Sequence, residues 1–211
     1  KKREFLDMKL CLNGEEAILI EKSLDAETET EGNIILSKIS LSEYGKLIEA
    51  FDISSLIPEE LSAPELVDFV IDSDNNIGLL FVAELNQAPV LWIAKADISG
   101  QQLLWAQTYS KVHGSVFFNN LQNISGADLK ADDVGNLYAL VRFTSTSEPT
   151  YPLQSVSEVV KFNSTDGLSE TRVLNNLEAS ENGLLVDGLD SYVVSGKFCL
   201  RDACSFNVTR Y

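Results

Sequence analysis

The stretch Ala127–Phe143, ADLKADDVGNLYALVRF, contains the pattern that decides the fold. A short apolar strand is followed by a tight turn rich in Asp, Gly and Asn, and then by a second apolar strand. This order is typical of a β-hairpin. It recurs around Asp7, around Asp68 and, in a compressed form, over 183–196. The sequence therefore predicts a repeated hairpin unit.

The second half of each unit also repeats. Lys38, Lys95 and Lys161 occupy the same place in a third predicted strand, and a glycine and a fourth apolar strand follow each of them. Asp7, Asp68 and Asp128 are 61 and 60 residues apart, which gives a unit of about 60 residues. Four short strands per unit are typical of a propeller blade. We therefore predict an all-β, β-propeller-like array of four-stranded antiparallel blades in a single domain. Its approximate blades are 6–56, 65–112, 126–176 and 179–211.

The last predicted unit has strands for three positions only. Residues 1–6 would supply the fourth strand if the two ends of the chain closed a four-bladed ring. In the alternative, the chain is a fragment of a propeller with more blades, in which case edge strands would be exposed. The sequence leaves both arrangements open.

The best-matching units resemble bacterial β-propeller repeats of the SBBP kind. In those repeats a Gly-Asn turn precedes a strand, and a strand with a lysine and an Asn-Gly turn follow. The matching residues are Asp133, Gly135, Asn136, Tyr138, Lys161, Asn163 and Gly167, with Trp92, Lys95, Gly100 and Trp105 in the neighbouring unit. The first unit departs from the pattern, because Gly14-Glu15-Glu16 replaces the Gly-Asn turn. The resemblance implies propeller blades and names no activity.

The charge of the chain restricts its partners. The 211 residues include 32 acidic and 16 basic ones, for a net charge of -16, and four carboxylates lie within 25–31. A surface this negative repels phosphate backbones and anionic lipid headgroups, so we predict no nucleic-acid partner. No apolar run approaches the roughly 20 residues that span a bilayer, so we predict no membrane insertion. The sequence indicates no oligomeric state.

Two of the three cysteines suggest the compartment. Cys199 and Cys204 lie at the tip of a predicted hairpin with strands over 192–198 and 205–211. Opposed residues near a hairpin end are close enough for a disulfide, and disulfides persist in oxidising compartments. We therefore predict a secreted, periplasmic or cell-surface protein, with two free thiols as the alternative. Cys11, in an apolar strand pattern, is predicted to be a buried small side chain.

The sequence contains no catalytic signature. A Ser nucleophile in a Gly-x-Ser-x-Gly elbow is absent, and a single histidine, His113, cannot form a multi-histidine zinc site. The acidic stretch 72–78 starts like a calcium loop but lacks the required Gly and Glu, so a turn is predicted there. We predict no catalytic residue, no metal and no cofactor.

A few residues remain as candidates for recognition and modification. His113 in a predicted inter-blade connection, Trp92 and Trp105 are the predicted binding-surface residues. Asn123, Asn163 and Asn207 stand in Asn-x-Ser/Thr sequences, which accept N-glycans if the source is eukaryotic and the chain is exported.

The sequence favours a non-enzymatic β-propeller scaffold that binds a protein or glycan through loops on one face. One alternative is a propeller-type hydrolase or lyase that acts on a polysaccharide with carboxylates at the central channel. Another is a purely structural repeat module of a larger surface protein.

Overall fold

A computed structural model describes residues 2–24, 31–99, 101–110, 121–145, 155–174, 179–186, 192–200 and 203–210. These residues form fifteen strands and one 3-10 turn, Ile53–Leu56, so the predicted all-β class is confirmed. Three sheets have four antiparallel strands and the fourth has three, each ordered as a meander.

The strands of sheets 1 and 2 are β1 (Lys2–Leu10), β2 (Glu16–Leu24), β3 (Glu31–Ser40), β4 (Lys46–Asp52), β5 (Leu61–Ile71), β6 (Ile77–Leu85), β7 (Ala88–Ala96) and β8 (Leu103–Tyr109). Those of sheets 3 and 4 are β9 (Leu121–Ala131), β10 (Leu137–Ser145), β11 (Ser155–Phe162), β12 (Ser169–Leu174), β13 (Ala179–Val186), β14 (Tyr192–Leu200) and β15 (Ala203–Arg210). The sheets thus span 2–52, 61–109, 121–174 and 179–210. The units predicted from the sequence span 6–56, 65–112, 126–176 and 179–211.

Asp side chains form the tight turns between first and second strands. Asp132 Oδ1 accepts hydrogen bonds from the backbone N–H groups of Val134 and Asn136, at 3.1 and 2.8 Å. Asp72 holds the equivalent turn of sheet 2 in the same way. A short side chain that bonds to the backbone two residues later stabilises a turn of this kind. Residues 72–76 therefore form a hairpin turn, as predicted, and Ile77 and Gly78 begin β6.

The predicted equivalence of the three lysines is confirmed by the strand register. Lys38 pairs with Ile18, Lys95 with Gly78 and Lys161 with Tyr138, each at the same position of its hairpin. The units are therefore structural repeats and not only similar sequences.

The sheets follow one another in series through their first strands. β5 lies beside β1 and β9, and β13 lies beside β9. In β6, Leu79 and Phe81 pack toward sheet 1, whereas Leu80 and Val82 pack toward sheet 3. A strand covered on both sides is apolar nearly throughout, and this explains the run from Ile77 to Ala83.

Three apolar clusters fill the spaces between successive sheets. The first, between sheets 1 and 2, includes Ile18, Ile20, Leu36, Phe69, Phe81 and Trp92. The second, between sheets 2 and 3, includes Leu80, Leu91, Ile93, Leu137, Val160 and Phe162. The third, between sheets 3 and 4, includes Tyr138, Leu140, Val159 and Leu184.

One predicted closure is wrong. Arg3, Glu4 and Phe5 belong to β1 and pair with β2, so residues 1–6 do not supply the missing strand of sheet 4. The physical reason is that β1 is one continuous strand from Lys2 to Leu10, and its first half already has a partner. Among the described strands, no strand of sheet 4 packs along sheet 1, so the series is not closed.

Candidate binding surface

Aspartates on the first strands connect sheet 2 to sheet 3 and sheet 3 to sheet 4. Asp68 Oδ2 on β5 accepts the backbone N–H of Leu129 on β9 at 2.9 Å, and Asp128 Oδ2 accepts that of Leu184 on β13 at 3.0 Å. These are the anchor residues of the repeat. The side chains of Asp68 and Asp128 join sheets 2 and 3 and sheets 3 and 4, a role that the sequence spacing alone did not predict.

Two lysines form ion pairs with these aspartates and with Asp7. Lys9 Nζ lies 3.0 Å from Asp7 Oδ2 and 3.1 Å from Asp68 Oδ1, and Lys130 forms an ion pair with Asp128. Burial raises the pKa of Asp68, against the opposing effects of the Leu129 N–H and of Lys9. Burial alone would lower the pKa of Lys9, but its hydrogen bonds to Asp7 and Asp68 outweigh this and raise it. The carboxylates of Asp7, Asp68 and Asp128 are thus each held by a structural partner.

A buried ion pair of sheet 2 also contacts sheet 3 at the turns. Lys95 Nζ lies 2.5 Å from Asp72 Oδ2 within sheet 2, and both side chains are almost wholly buried, with 3% and 0% exposed. The same Nζ donates to the carbonyl oxygen of Gly135 in the adjacent turn of sheet 3, at 3.0 Å. Gly135 has a φ of 79°, and an added Cβ would lie 2.9 Å from Lys95 Nζ. The turn of sheet 3 is therefore shaped to receive the lysine of sheet 2.

Trp92 and Trp105, predicted to lie on a binding surface, are buried, and the prediction is corrected on this point. Trp92 packs in the core between sheets 1 and 2, with its ring centroid 5.6 Å from that of Phe81. Trp105 stacks on Phe162 and donates its Nε1–H to the carbonyl oxygen of Ser164 at 3.1 Å. Both lie on sheet 2, whose two faces are covered by neighbouring sheets, and this covering places the aromatic rings in the core.

Sheets 2 and 3 share a further buried polar contact. Tyr109 at the end of β8 donates its hydroxyl to Glu158 Oε2 of β11 at 2.6 Å, and Glu158 is fully buried. A buried carboxylate requires a hydrogen-bond donor, and the neighbouring sheet supplies one here. This contact, like those of Lys95 and Trp105, is part of the inter-sheet packing.

The sheets have two ends of different character. The turn end carries the tight turns 11–15, 72–76 and 132–136. The opposite end, which we call the loop end, is where β1, β5 and β9 begin. Because the strands alternate in direction, β2 and β8 also end there. The connections 25–30 and 110–120 therefore join strand ends at the loop end.

Two adjoining clefts lie at the loop end between sheets 1 and 2. Each has a volume of about 340 Å³, and Lys22, Ile34 and Pro64 line both. Apolar side chains, among them Leu6, Ile34, Ile57, Leu61 and Leu66, alternate there with the carboxylates of Glu4, Glu59 and Glu65. Mixed apolar and acidic walls suit a ligand with both apolar and cationic groups.

Several predicted residues lie where the structure describes no side chain. His113 and residues 25–30 of the acidic stretch fall outside the described residues. Asn123 and Asn207 lie on β9 and β15, and Asn163 is exposed in the turn after β11. Their glycosylation remains a prediction.

The cysteine positions agree with the predicted hairpin. Cys199 on β14 is the direct register partner of Cys204 on β15, and the disulfide between them remains a prediction. Cys11 is buried, as predicted, and burial raises the pKa of its thiol.

Neither a metal centre nor a membrane-spanning helix is found in the described part of the chain. Within it, no three His, Cys, Asp or Glu side chains come together in a way that could hold a metal ion. No helix among the described residues has the length and apolar character to cross a membrane.

Comparison with known proteins gives a structural likeness of low identity. No protein-family model matches the chain, and no curated protein is similar to it. The chain is similar to a solved structure described as Drosophila Plexin A in complex with Semaphorin 1b, with 11% identity and a TM-score of 0.40. The match covers 99% of this chain and 51% of the other, so this chain spans about half the length of that one. A likeness of this size carries no argument about function.

Proposed function

We propose that this chain is a non-enzymatic binding scaffold of an exported or cell-surface protein, with its sheets arranged in the manner of a β-propeller. It binds a protein or a glycan through the connections at the loop end. The acidic stretch and His113 belong by sequence to connections between strands that end or begin there, and the clefts between sheets 1 and 2 also lie at that end.

One observation carries this proposal. Charged and aromatic residues of sheet 2, several of them at repeat positions, are engaged in contacts that join this sheet to sheet 3. Asp68, Lys95, Trp105 and Tyr109 each contact the following sheet. Side chains held in this way serve the fold, and recognition then falls to the connections, as is usual for a rigid scaffold with variable loops.

The acidity of the chain indicates the partner. A net charge of -16, with Glu4, Glu59 and Glu65 around the clefts, attracts cationic patches of a protein and disfavours anionic polymers. A neutral glycan could use the apolar walls of the clefts. Protein and neutral glycan are therefore the two partner classes to test.

Binding and turnover can be measured on one set of ligands. The purified chain is applied to an array of neutral and acidic glycans and, separately, to immobilised lysozyme as a cationic protein, and released sugar is assayed in parallel. We expect capture without release of product. His113→Ala and Glu59→Gln should weaken capture, and Tyr44→Ser, a fully exposed residue at the turn end, should not. Hydrolysis that a single carboxylate substitution abolishes would overturn the proposal in favour of the hydrolase alternative.

The exported location has its own test. The Cys199–Cys204 register predicts a disulfide, which forms in an oxidising compartment. The mass of the native protein, alkylated with and without prior reduction, should show two protected thiols and one free thiol, that of Cys11. Three free thiols in material taken from its native source would contradict the exported assignment.

A structural repeat module is a second candidate, and one observation favours it. Four apolar residues on the outer face of sheet 1 are exposed to solvent. The exposed fractions of Phe5, Met8, Leu10 and Leu47 are 62%, 46%, 62% and 54%. Exposed apolar faces of this kind mark contact surfaces. If the chain served only as a module, loop-end substitutions would alter no ligand capture at all.

A further inference from the structure

The outer face of sheet 1 is half of an inter-sheet interface. Met8 lies opposite Leu19 in the register, as Phe69 lies opposite Leu79 in sheet 2 and Leu129 opposite Ala139 in sheet 3. Phe69 and Leu129 are 0% and 1% exposed because the preceding sheet covers them, whereas Met8 is 46% exposed. We call the surface formed by Phe5, Met8, Leu10, Leu19, Ile35 and Leu47 the open face.

The other end of the series exposes the complementary position. Leu184 N–H binds Asp128 as Leu129 N–H binds Asp68, so Leu184 is the equivalent of Leu129. The next residue, Leu185, is therefore the equivalent of Val70, which packs into the cluster between sheets 2 and 3. Leu185 is 60% exposed. Sheet 4 thus presents an apolar side chain where an interior sheet would meet its successor.

The polar groups at the two ends also match. Gly183, the residue before Leu184, stands where sheets 2 and 3 carry Asp68 and Asp128, so sheet 4 has no carboxylate at this repeat position. The open face needs none, because the N–H of Met8 donates to Asp7 Oδ1 at 2.7 Å, just as the N–H of Phe69 donates to Asp68 Oδ1 at 2.8 Å where sheet 2 packs on sheet 1. Sheet 4 is therefore compatible with the open face.

We propose that the open face binds sheet 4 of a second copy of this chain, head to tail. Two copies place eight sheets in series, which is within the four to eight blades of typical closed propellers. A head-to-tail contact closes into a ring when its rotation permits, and two equal junctions then form. This inference concerns assembly and does not depend on ligand binding at the loop end.

The area available is sufficient for a reversible contact. The three described strands of sheet 4, about 4.8 Å apart and about 30 Å long, cover roughly 430 Å², so one junction buries about 860 Å² in total. That is below the roughly 1,000 Å² of specific interfaces and in the range of weak, transient contacts, and the two junctions of a closed ring would together exceed it. Glu21 takes the position of Phe81 on the open face, which makes the junction less apolar than the one between sheets 1 and 2. We therefore expect association in the micromolar range.

Sedimentation velocity of the purified chain, from low to high micromolar concentration, tests the proposal. We expect the mass of one chain at the lowest concentration and of two chains at the highest. Leu10→Glu should weaken association at least tenfold. Leu168→Glu is the matched control, because Leu168 is 68% exposed beside 62% for Leu10 but lies in a turn of sheet 3. Far-UV circular dichroism checks the fold, and Leu10→Ser replaces Leu10→Glu if the latter does not fold.

The direction of the contact has a separate test. Leu185→Glu should also abolish association by itself, whereas a mixture of Leu10→Glu with Leu185→Glu should form mixed dimers through one intact junction. A wild-type chain that stays monomeric at all concentrations overturns the proposal, as does association that Leu10→Glu leaves unchanged. Association that is lost in Leu10→Glu but normal in Leu185→Glu also overturns it, because the contact would then be face to face.

Discussion

Sheets 1 and 2 are built from the same repeat but differ in their surroundings. Sheet 2 has a neighbour on both faces, and its Phe69 and Lys95 are buried; sheet 1 has a neighbour on one face, and the equivalent Met8 and Lys38 remain accessible. The comparison shows that the repeat position determines the strand register of a residue. The neighbouring sheet determines how much that residue contributes to the free energy of unfolding. Stability in such an array is a sum of units and of the interfaces between them.

The largest expected difference concerns the apolar position of the first strand. Phe69→Ala removes a fully buried ring from the cluster between sheets 1 and 2 and should reduce the free energy of unfolding by about 4 kcal/mol. Met8→Ala, at the equivalent but half-exposed position, should cost less than about 1 kcal/mol. Urea denaturation of both variants measures the difference. Equal losses would contradict the claim that the covering sheet determines how much this position contributes to the free energy of unfolding.

The third-strand lysines give the next largest difference. Lys95→Met leaves Asp72 buried without its counter-ion and the Gly135 carbonyl without its donor, and we expect a loss of about 3 kcal/mol. Lys38→Met breaks a partly exposed pair with Glu16 at 2.9 Å and should cost about 0.5 kcal/mol. The same denaturation measurement applies. A double variant, Asp72→Asn with Lys95→Met, removes the charge but keeps the Oδ1 acceptor of the turn, and it should recover part of the loss if the unpaired charge is its cause.

A glycine pair isolates the steric part of the packing between sheets 2 and 3. Gly167 and Gly14 have φ of 69° and 68°, so alanine suffers the same backbone strain at both. An added Cβ at Gly167 would lie 2.6 Å from the ring of Trp105, whereas nothing lies within 4 Å at Gly14. Gly167→Ala should therefore cost about 2 kcal/mol more than Gly14→Ala. Similar losses in both would mean that the Trp105 ring moves aside freely, which near-ultraviolet circular dichroism would detect.

The smallest expected effect is a difference in pH dependence between two carboxylates. Burial raises the pKa of Asp68 above its ordinary value of 3.8, although Lys9, Lys130 and the Leu129 N–H oppose this. The protonated form of Asp68 therefore contributes fully to the free energy of unfolding below pH 3.8. This contribution is lost as the pH rises through the raised pKa. The hydrogen bond from Lys38 lowers the pKa of Glu16 below its ordinary value of 4.5, and its stabilising effect is present above 4.5 and lost as the pH falls.

Two neutral variants measure this contrast. On acidification from pH 7 toward pH 4, the wild type should gain stability relative to Asp68→Asn and lose stability relative to Glu16→Gln. Urea denaturation at several pH values is sufficient. Shifts of the same sign in both variants would contradict the assigned difference in burial.

The sequence predicted the local structure well because that structure depends on local chemistry. The turn at Asp132 follows from side-chain bonds within five residues, and the register of Cys199 with Cys204 follows from a short hairpin. The equivalence of Lys38, Lys95 and Lys161 followed from strand order alone. Features of this kind need no knowledge of which sheets become neighbours.

The features that depend on neighbouring sheets could not be predicted in the same way. Trp92 and Trp105 were predicted to lie on a binding surface, but sheets 1 and 3 cover them. The aspartate anchors were found as a spacing, and their bonds to the next sheet became visible only with the sheets side by side. The assignment of residues 1–6 to sheet 4 failed because sequence order does not show which strand pairs with β2.

The contact of Lys95 with Gly135 has a consequence for unfolding. Opening sheet 3 withdraws a carbonyl acceptor from an ammonium group buried in sheet 2, so neither sheet can open without a penalty in the other. Sheets 2 and 3 should therefore exchange their amide hydrogens as one cooperative unit, with the slowest rates in β6 and β10. Sheet 1, which has no such buried link to sheet 2 among the described residues, should exchange sooner. Unfolding would then begin at sheet 1 and reach sheets 2 and 3 later.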